Sequence, residues 1–429
     1  MVYPYANAMT STSPYPSPLE NWWLQRTRRL LKLSDTQNAL QLLEPEVRRL
    51  SDLFTTKRAS GFESYENDAR ALAAYGLFFF PQTFTRVGFP LRELLAYRGW
   101  TPPAERPLRI LDLGAGSGAA LFGAVRMLQA QGHTGPMEAT AVDQSQESLT
   151  LARTIAHDLT DLWPQTSWTM REGNLGRPST WPSTPRQWDI ILLSFSFNEA
   201  FFDQAIDAQL AWLEQVQERL APGGILLLLE PALRETSEQL ERLRDRLGEQ
   251  RAWTIAGPCL HHRHCPLLSE GKFWCHEVRQ WQPPESLSFI NRKLYRSVQS
   301  LKFSYLALEN TPRMEDGGGE GGAGKARLIA PMTEVKGKFI TSGCAADGRK
   351  HGYELQTRGL SKPQRKWLHT MERGDIVELF PLTPLGNGEV FRLGGMEAIR
   401  HHFHPRPAAD DVASSPVQSP SSSEGNSSA

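Results

Sequence analysis

Three glycines fall within five residues in Ile110-Leu-Asp-Leu-Gly-Ala-Gly-Ser-Gly118, between an apolar run and a helical stretch. Glycines so placed let the backbone turn sharply and approach a ligand closely. The turn opens a long alternation of short apolar runs and amphipathic segments. Strands are expected at Leu108–Leu113, Glu138–Val142, Ser167–Arg171, Asp189–Ser194 and Gly224–Glu230. Helices are expected at Ala119–Gln131, Gln146–Leu159, Ala205–Leu220 and Thr236–Gln250. Such alternation builds an α/β fold, a parallel sheet covered on both faces. Apolar runs such as Ile225–Leu229 have strand length and fall far short of a membrane span.

The Asp-x-Gly-x-Gly-x-Gly spacing differs from the Gly-x-Gly-x-x-Gly of dinucleotide sites. It resembles motif I of class I S-adenosylmethionine-dependent methyltransferases, which have a Rossmann-like sheet. Another doubly wound nucleotide-binding enzyme is the alternative. The resemblance implies a cofactor site at Asp112, Gly114, Gly116 and Gly118. Asp143 ends the second strand, 25 residues beyond Gly118, where a carboxylate accepts from both ribose hydroxyls. Asn174, after the third strand, flanks the adenine or is an ordinary turn residue. After strand four stands Ser194-Phe-Ser-Phe-Asn-Glu199, without the Asn/Asp-Pro-Pro-Tyr signature of amine methyltransferases. Asn198 and Glu199 either orient a nucleophile or cap the next helix, so the catalytic residue is unknown.

Five regions are expected. Residues 1–18 are rich in Pro, Ser and Tyr and read as disordered. Residues 19–105 form a helical extension, with helices over Leu19–Thr56, Tyr65–Phe80 and Thr83–Tyr97. Residues 106–256 are the cofactor-binding core. Residues 257–405 form a β-rich basic appendage carrying the cysteines, with strands at Arg327–Thr341, His351–Thr357, Asp375–Leu379 and Val390–Leu393. The Gly317–Gly324 run is a flexible loop, and the Ser-rich tail 406–429 is disordered. The chain holds 47 Lys+Arg and 47 Asp+Glu, yet 16 against 8 between Asn291 and Arg373. That basic stretch is either a phosphate-contacting surface or a solvated loop. The first residues show no secretory or transit pattern. A cytoplasmic location is expected, or the mitochondrial matrix if the source is eukaryotic, with no membrane contact.

The chain has only four cysteines. Cys259, Cys265 and Cys275 follow the core in a C-x5-C-x9-C pattern, and Cys344 comes 69 residues later. In a reducing compartment clustered thiols bind metal more often than they pair. Zinc sites usually show C-x2–4-C pairs, so the long spacing is easier to reconcile with a 4Fe–4S cluster. Zinc, with help from His261, His262, His264 or His276, and free thiols remain alternatives.

Pro258-Cys-Leu-His-His-Arg-His-Cys-Pro266, Trp274-Cys-His276 and Lys302-Phe-Ser-Tyr-Leu-Ala-Leu308 together resemble one family. It is the methyltransferase-like assembly proteins of the small ribosomal subunit, mitochondrial and bacterial, and the likeness spans about residues 20–400. It implies the class I fold, small-subunit rRNA as partner, and a four-cysteine iron–sulfur cluster on Cys259, Cys265, Cys275 and Cys344. RNA contacts are expected from Phe289, Arg292, Lys293, Tyr295, Arg296, Lys302 and Tyr305. Arg349, Lys350, Arg358, Lys362, Arg365, Lys366 and Trp367 form a second group. Core packing is the competing role for the aromatics, above all Phe303 and Tyr305. Three functions stay open: an rRNA methyltransferase, a non-catalytic assembly factor, and a small-molecule methyltransferase with structural zinc. A monomer is expected in each case.

Overall fold

The computed structural model describes residues 15–55, 68–184, 187–294, 299–312 and 322–405. The expected disordered tail, Tyr295, Arg296 and much of the glycine run lie outside them. Of the expected disordered stretch 1–18, residues 1–14 also lie outside, but the last four are ordered. Tyr15 is buried edge-on against Phe84, because its ring fills the helical core.

The single helix expected over Leu19–Thr56 is three: α1 (Ser17–Leu31), α2 (Thr36–Gln41) and α3 (Glu44–Thr55). Lys32 ends α1 in the left-handed region at φ 56°, and Asp35 starts α2 by accepting from the Asn38 amide. Asp is a strong N-cap, so the chain restarts rather than continues. Next come α4 (Ala69–Ala74), a π-helical stretch Tyr75–Phe79, α5 (Phe80–Arg86) and α6 (Gly88–Ala96). Gly76 in that stretch has no alternative, since a Cβ there would meet the Trp23 ring at 2.0 Å.

The alternating region forms β1 (Leu108–Leu113), α7 (Ala119–Ala130), β2 (Met137–Asp143), α8 (Gln146–Asp158) and β3 (Thr166–Glu172). It continues with β4 (Trp188–Ser194), α9 (Phe197–Phe201), α10 (Ile206–Gln217), β5 (Leu220–Glu230), α11 (Arg234–Gln250) and β6 (Thr254–Gly257). Then follow α12 (Pro266–Glu270), β7 (Glu277–Gln280), α13 (Glu285–Lys293) and β8 (Ser300–Glu309). The sheet order is β3-β2-β1-β4-β5-β8-β6, with β7 pairing β8. Strands β1 to β5 are parallel, while β8 runs antiparallel between β5 and β6. This is the class I methyltransferase sheet. Its order reverses between β1 and β4, which opens a crevice at their carboxyl ends.

The expected boundary at 256/257 needs correction. β8 carries the KFSYLAL run into the middle of the first sheet, so the core extends to Glu309. From Phe303 to Leu308 β8 is buried at every position. A strand covered on both faces reads as a continuous apolar run.

The second sheet holds β9 (Lys325–Leu328), β10 (Thr333–Val335), β11 (Lys338–Ala345) and β12 (Lys350–Gln356). After α14 (Lys362–Leu368) come β13 (Ile376–Leu379), β14 (Leu382–Leu385), β15 (Val390–Leu393) and β16 (Ile399–Phe403). The strand expected over Arg327–Thr341 is three, because Pro331 and the Lys336-Gly337 turn, both residues at positive φ, interrupt it. β9 pairs antiparallel with β11 and β13, β11 with β12, and β13 with β16, while β12 and β15 are parallel. With β15 and β16 as one interrupted strand, this is the connectivity of a five-stranded OB barrel. Phe339, Tyr353, Leu355 and Val377 fill it. Among the described residues no helix is long and apolar enough to cross a membrane.

One arginine of the barrel ties the two bodies together. Arg327 on β9 reaches Glu93 of α6, Glu277 of β7, Tyr305 of β8 and the Pro258 carbonyl, all buried or nearly so.

Candidate cofactor cleft and cysteine centre

A cleft of about 1150 Å³ opens at the carboxyl ends of β1, β2 and β4. Asp112, Gly114, Gly116, Asp143, Asn174 and Glu199 line it, so six of the eight sequence-selected residues of this site meet there. Gly118 stands behind the turn: at φ 83° it precedes α7, packed against Phe122 and Ala152. Gly114, at φ 72°, must be glycine for a second reason, since a Cβ would meet that of Ser196 at 2.5 Å. Gly116, at φ 51°, has open space where its Cβ would be.

Two carboxylates flank this turn in different states. Asp143 accepts from the Gly116 amide at 2.7 Å and the Ser145 amide at 2.8 Å, so it holds the turn in shape. Asp112 is buried and no side chain pairs with its oxygens; the Leu121 amide at the start of α7 points to the carboxyl but falls short of good hydrogen-bond geometry. Burial, then the Asp143 charge, pushes its carboxyl up to about 8. A buried orphan carboxyl is costly unless something else completes it. Asn174 stands at the exposed rim and closes a turn, with its Oδ1 accepting from the Gly176 amide at 2.9 Å.

The loop after β4 separates the two residues singled out there. Glu199 faces the cleft. Asn198 is buried away from it, with its amide 3.0 Å from Glu230 Oε1 and its side-chain nitrogen on Glu230 Oε2. Phe195 holds φ 66°, a costly conformation for an aromatic residue that collects at functional sites. Arg86 of α5 lies over the Phe195 ring at 5.3 Å and lines the cleft. Its Nε is buried without a partner, and burial lowers its guanidinium to about 10. Sequence reading missed Arg86 and Glu230. An Arg after an aromatic helix is a weak signal, and Glu230 simply ends a strand.

The cysteines converge from two bodies. Cys259 follows β6, Cys265 and Cys275 flank α12, and Cys344 lies on β11 of the barrel. Cys259, Cys265 and Cys275 border one small cavity with Glu241, Arg244 and Ser304. Burial, then mutual repulsion among the sulfurs, raises the Cys265 and Cys275 thiols well above the ordinary range. Cys344 rises to about 12, by burial and then the Cys259 charge. Helix α11 supplies the frame: Asp245 accepts from the Cys265 amide at 2.9 Å, and Glu241 from the Cys275 amide. Arg244 adds a buried cation beside the sulfurs.

The nearby histidines have other partners. Arg244 holds His261 at 3.0 Å, His264 faces Asp245 at 3.3 Å, and His276 meets the Trp274 carbonyl at 3.1 Å. Burial, then the Arg244 charge, lowers His261 to about 4, which keeps it neutral. No three donors around this centre lie within 4.8 Å of one another among the described residues.

The expected RNA-contacting residues divide. Tyr305 is buried and donates to Glu93 at 2.9 Å, while Phe303 is wholly buried, so both pack the core. Phe289 packs on the core beneath Arg292 and Lys293. Lys302 lines the cofactor cleft. Lys350 pairs with Glu270 across the two bodies, Arg365 with Glu334 at 3.2 Å, and Trp367 packs edge-on to His401. Arg349, Arg358, Lys362 and Lys366 are exposed on the barrel.

Comparison with curated proteins gives no match. Solved structures similar to this chain include a putative class I methyltransferase from Listeria monocytogenes, at 15% identity and TM-score 0.34, covering 70% of this chain and 82% of that one. An rRNA methylase from Streptococcus thermophilus gives 14% and 0.27, over 53% and 94%. The magnesium protoporphyrin IX methyltransferase of Synechocystis PCC 6803, with SAH bound, gives 10% and 0.31, over 62% and 99%. A family model described as mitochondrial small ribosomal subunit Rsm22 matches residues 69–364, more than half of the chain. The chain therefore belongs to the Rsm22 family.

Proposed function

We propose that the chain binds S-adenosylmethionine in the β1–β4 cleft and small-subunit rRNA alongside it, as a methyltransferase-like protein of the ribosomal small subunit. The observation that carries this reading is Asp112, a buried carboxyl that no side chain pairs, beside a glycine turn open to a ligand. Asp112 would meet the cofactor's ammonium group, Asp143 the ribose hydroxyls and Asn174 the adenine edge. The cofactor supplies an electrophilic methyl carbon. Arg86, Phe195, Glu199 and Lys302 line the remaining space and would position the acceptor.

Asp112→Asn should weaken S-adenosylmethionine binding by at least about tenfold, a charge-assisted hydrogen bond being worth roughly 1.5–3 kcal/mol. The pH dependence has a definite sign. The folded carboxyl titrates near 8, well above its unfolded value. It therefore costs stability as pH rises from the unfolded pKa through 8. Cofactor binding should release a proton below pH 8, so affinity should climb between pH 6 and 8. Calorimetry in buffers of different ionisation enthalpy reads that proton directly. A flat pH profile shared by wild type and Asp112→Asn would refute the assignment.

For the cysteine centre we favour a 4Fe–4S cluster on Cys259, Cys265, Cys275 and Cys344. Tetrahedral zinc holds its thiolate sulfurs about 3.8 Å apart, from a Zn–S bond near 2.3 Å. A cubane sets them wider, because two irons stand between any two sulfurs. The buried Arg244 cation and the engaged histidines suit the second set. The cluster's role here is architectural, since its ligands come from both bodies.

The OB barrel gives the RNA reading a physical basis, because this architecture often carries oligonucleotides on one face and its loops. Lys362→Ala with Lys366→Ala should weaken RNA binding and lower the salt slope by about one unit per lost phosphate contact. Filter binding to small-subunit rRNA across salt concentrations measures this. An unchanged slope would remove α14 from the RNA surface. A second reading, assembly without methyl transfer, is favoured by Asn198, which Glu230 holds away from the cleft. Incubation with labelled S-adenosylmethionine and immature small subunits decides it, since transferred label excludes a pure scaffold.

A further inference from the structure

We propose that Asp375, His401 and His404 form a second metal site, for a divalent transition ion of the zinc class, on the closing strand of the barrel. One donor atom from each lies within 4.8 Å of the others. His404 Nδ1 stands 2.6 Å from Asp375 Oδ1, and His401 Nε2 stands 3.4 Å from Oδ2. These residues are separate from the cysteine centre and from the cofactor cleft, and neither role uses them.

The local backbone shows why they converge. Asp375 immediately precedes β13, while His401 lies on its partner β16 and His404 just beyond that strand's end. In a regular strand residues three apart point to opposite faces. The ladder shifts register here: Ile376 pairs with Phe403, but Val377 pairs with His401. The extra residue is His402, which turns outward to Glu378 at 3.2 Å. Such a bulge re-aims side chains, and it brings both imidazoles over one carboxylate.

The carboxylate is built as a ligand rather than as a surface charge. The Asp375 side chain has no solvent exposure, and its Oδ2 accepts from the Glu372 amide at 3.0 Å. That second bond fixes its orientation, as an outer partner does for a metal ligand. The imidazoles keep 16% and 14% exposure, so an ion can reach them from solvent. Trp367 packs edge-on to His401 and walls another side.

Two imidazoles with one carboxylate suit zinc, cobalt, nickel or iron better than magnesium or calcium, which prefer oxygen donors. An ion there would pin the end of β16 to the start of β13. That point adjoins the joint between the two bodies. The His404 carbonyl accepts from Arg92 of α6 at 2.6 Å, and the Gly374 carbonyl, just before Asp375, accepts from Arg327. The ion's role would thus be to hold the closing strand and its contact with the first body.

The test is cobalt(II) titration of the anaerobically prepared full chain with its cysteine centre loaded. One further equivalent should bind, with ligand-field absorption, no sulfur-to-cobalt charge-transfer band and a raised unfolding midpoint. His401→Gln and His404→Gln should each lose this equivalent, while His402→Gln keeps it. Absence of the equivalent in the wild-type chain overturns the proposal without any variant. So does an equivalent that carries a sulfur charge-transfer band, or one retained by both His401→Gln and His404→Gln.

Discussion

Arg327→Met should destabilise the protein by about 3–5 kcal/mol, the usual cost of breaking a buried ion pair from one side. The substitution leaves Glu93 and Glu277 buried, with Glu93 keeping only Tyr305 among the contacts named above. It also removes donors from the Pro258 and Gly374 carbonyls. Adding Glu93→Gln to Arg327→Met should restore part of the loss, and the double-mutant cycle isolates the pair. Denaturant unfolding measures the effect. A loss below about 1 kcal/mol, typical of an exposed pair, would show that this network does not hold the joint.

Cys344→Ser should empty the cysteine centre and loosen the barrel from the first body. In the proposed ligand set Cys259, Cys265 and Cys275 belong to the first body, and Cys344 is the one that comes from the barrel. Buried thiols raised by their neighbours do not ionise in isolation, and an entering cation releases their protons. For structural thiolate sites the coupled free energy is on the order of 10 kcal/mol. Iron, sulfide and zinc analysis of anaerobic protein, with limited proteolysis, reads both consequences. Cys265→Ser is the partner experiment: metal should fall as far, but the α11 frame around Asp245 should persist. Full metal content together with native protease resistance in Cys344→Ser would remove that residue from the ligand set.

Much of the cofactor cleft was legible because its signals are local. Gly114, Gly116 and Gly118 all hold positive φ, and each answers to a constraint within the turn or its immediate packing. The resemblance to motif I singled out Asp112 and Asp143, which lie toward the carboxyl ends of adjacent parallel strands. Asn198 and Glu199 looked equivalent in the chain, yet a buried carboxylate 31 residues beyond Glu199 captures only one of them. The KFSYLAL run served as a family signature while its structural role went unread. Its direction and neighbours depend on β5 and β6, which no periodicity reveals.

The doubly wound core, the glycine turn with its two carboxylates, and the grouping of Cys259, Cys265 and Cys275 were all readable from local patterns in the chain. These follow from backbone preferences and side-chain period, which act over a few residues. The place of β8, the approach of Cys344 from a separate barrel, and the facing of Arg86 into the cleft emerge only in the folded chain. Folding likewise brings Asp375 to His401 and His404. Each of these depends on pairing between distant segments, and register there is set by burial and bulges rather than by local propensity.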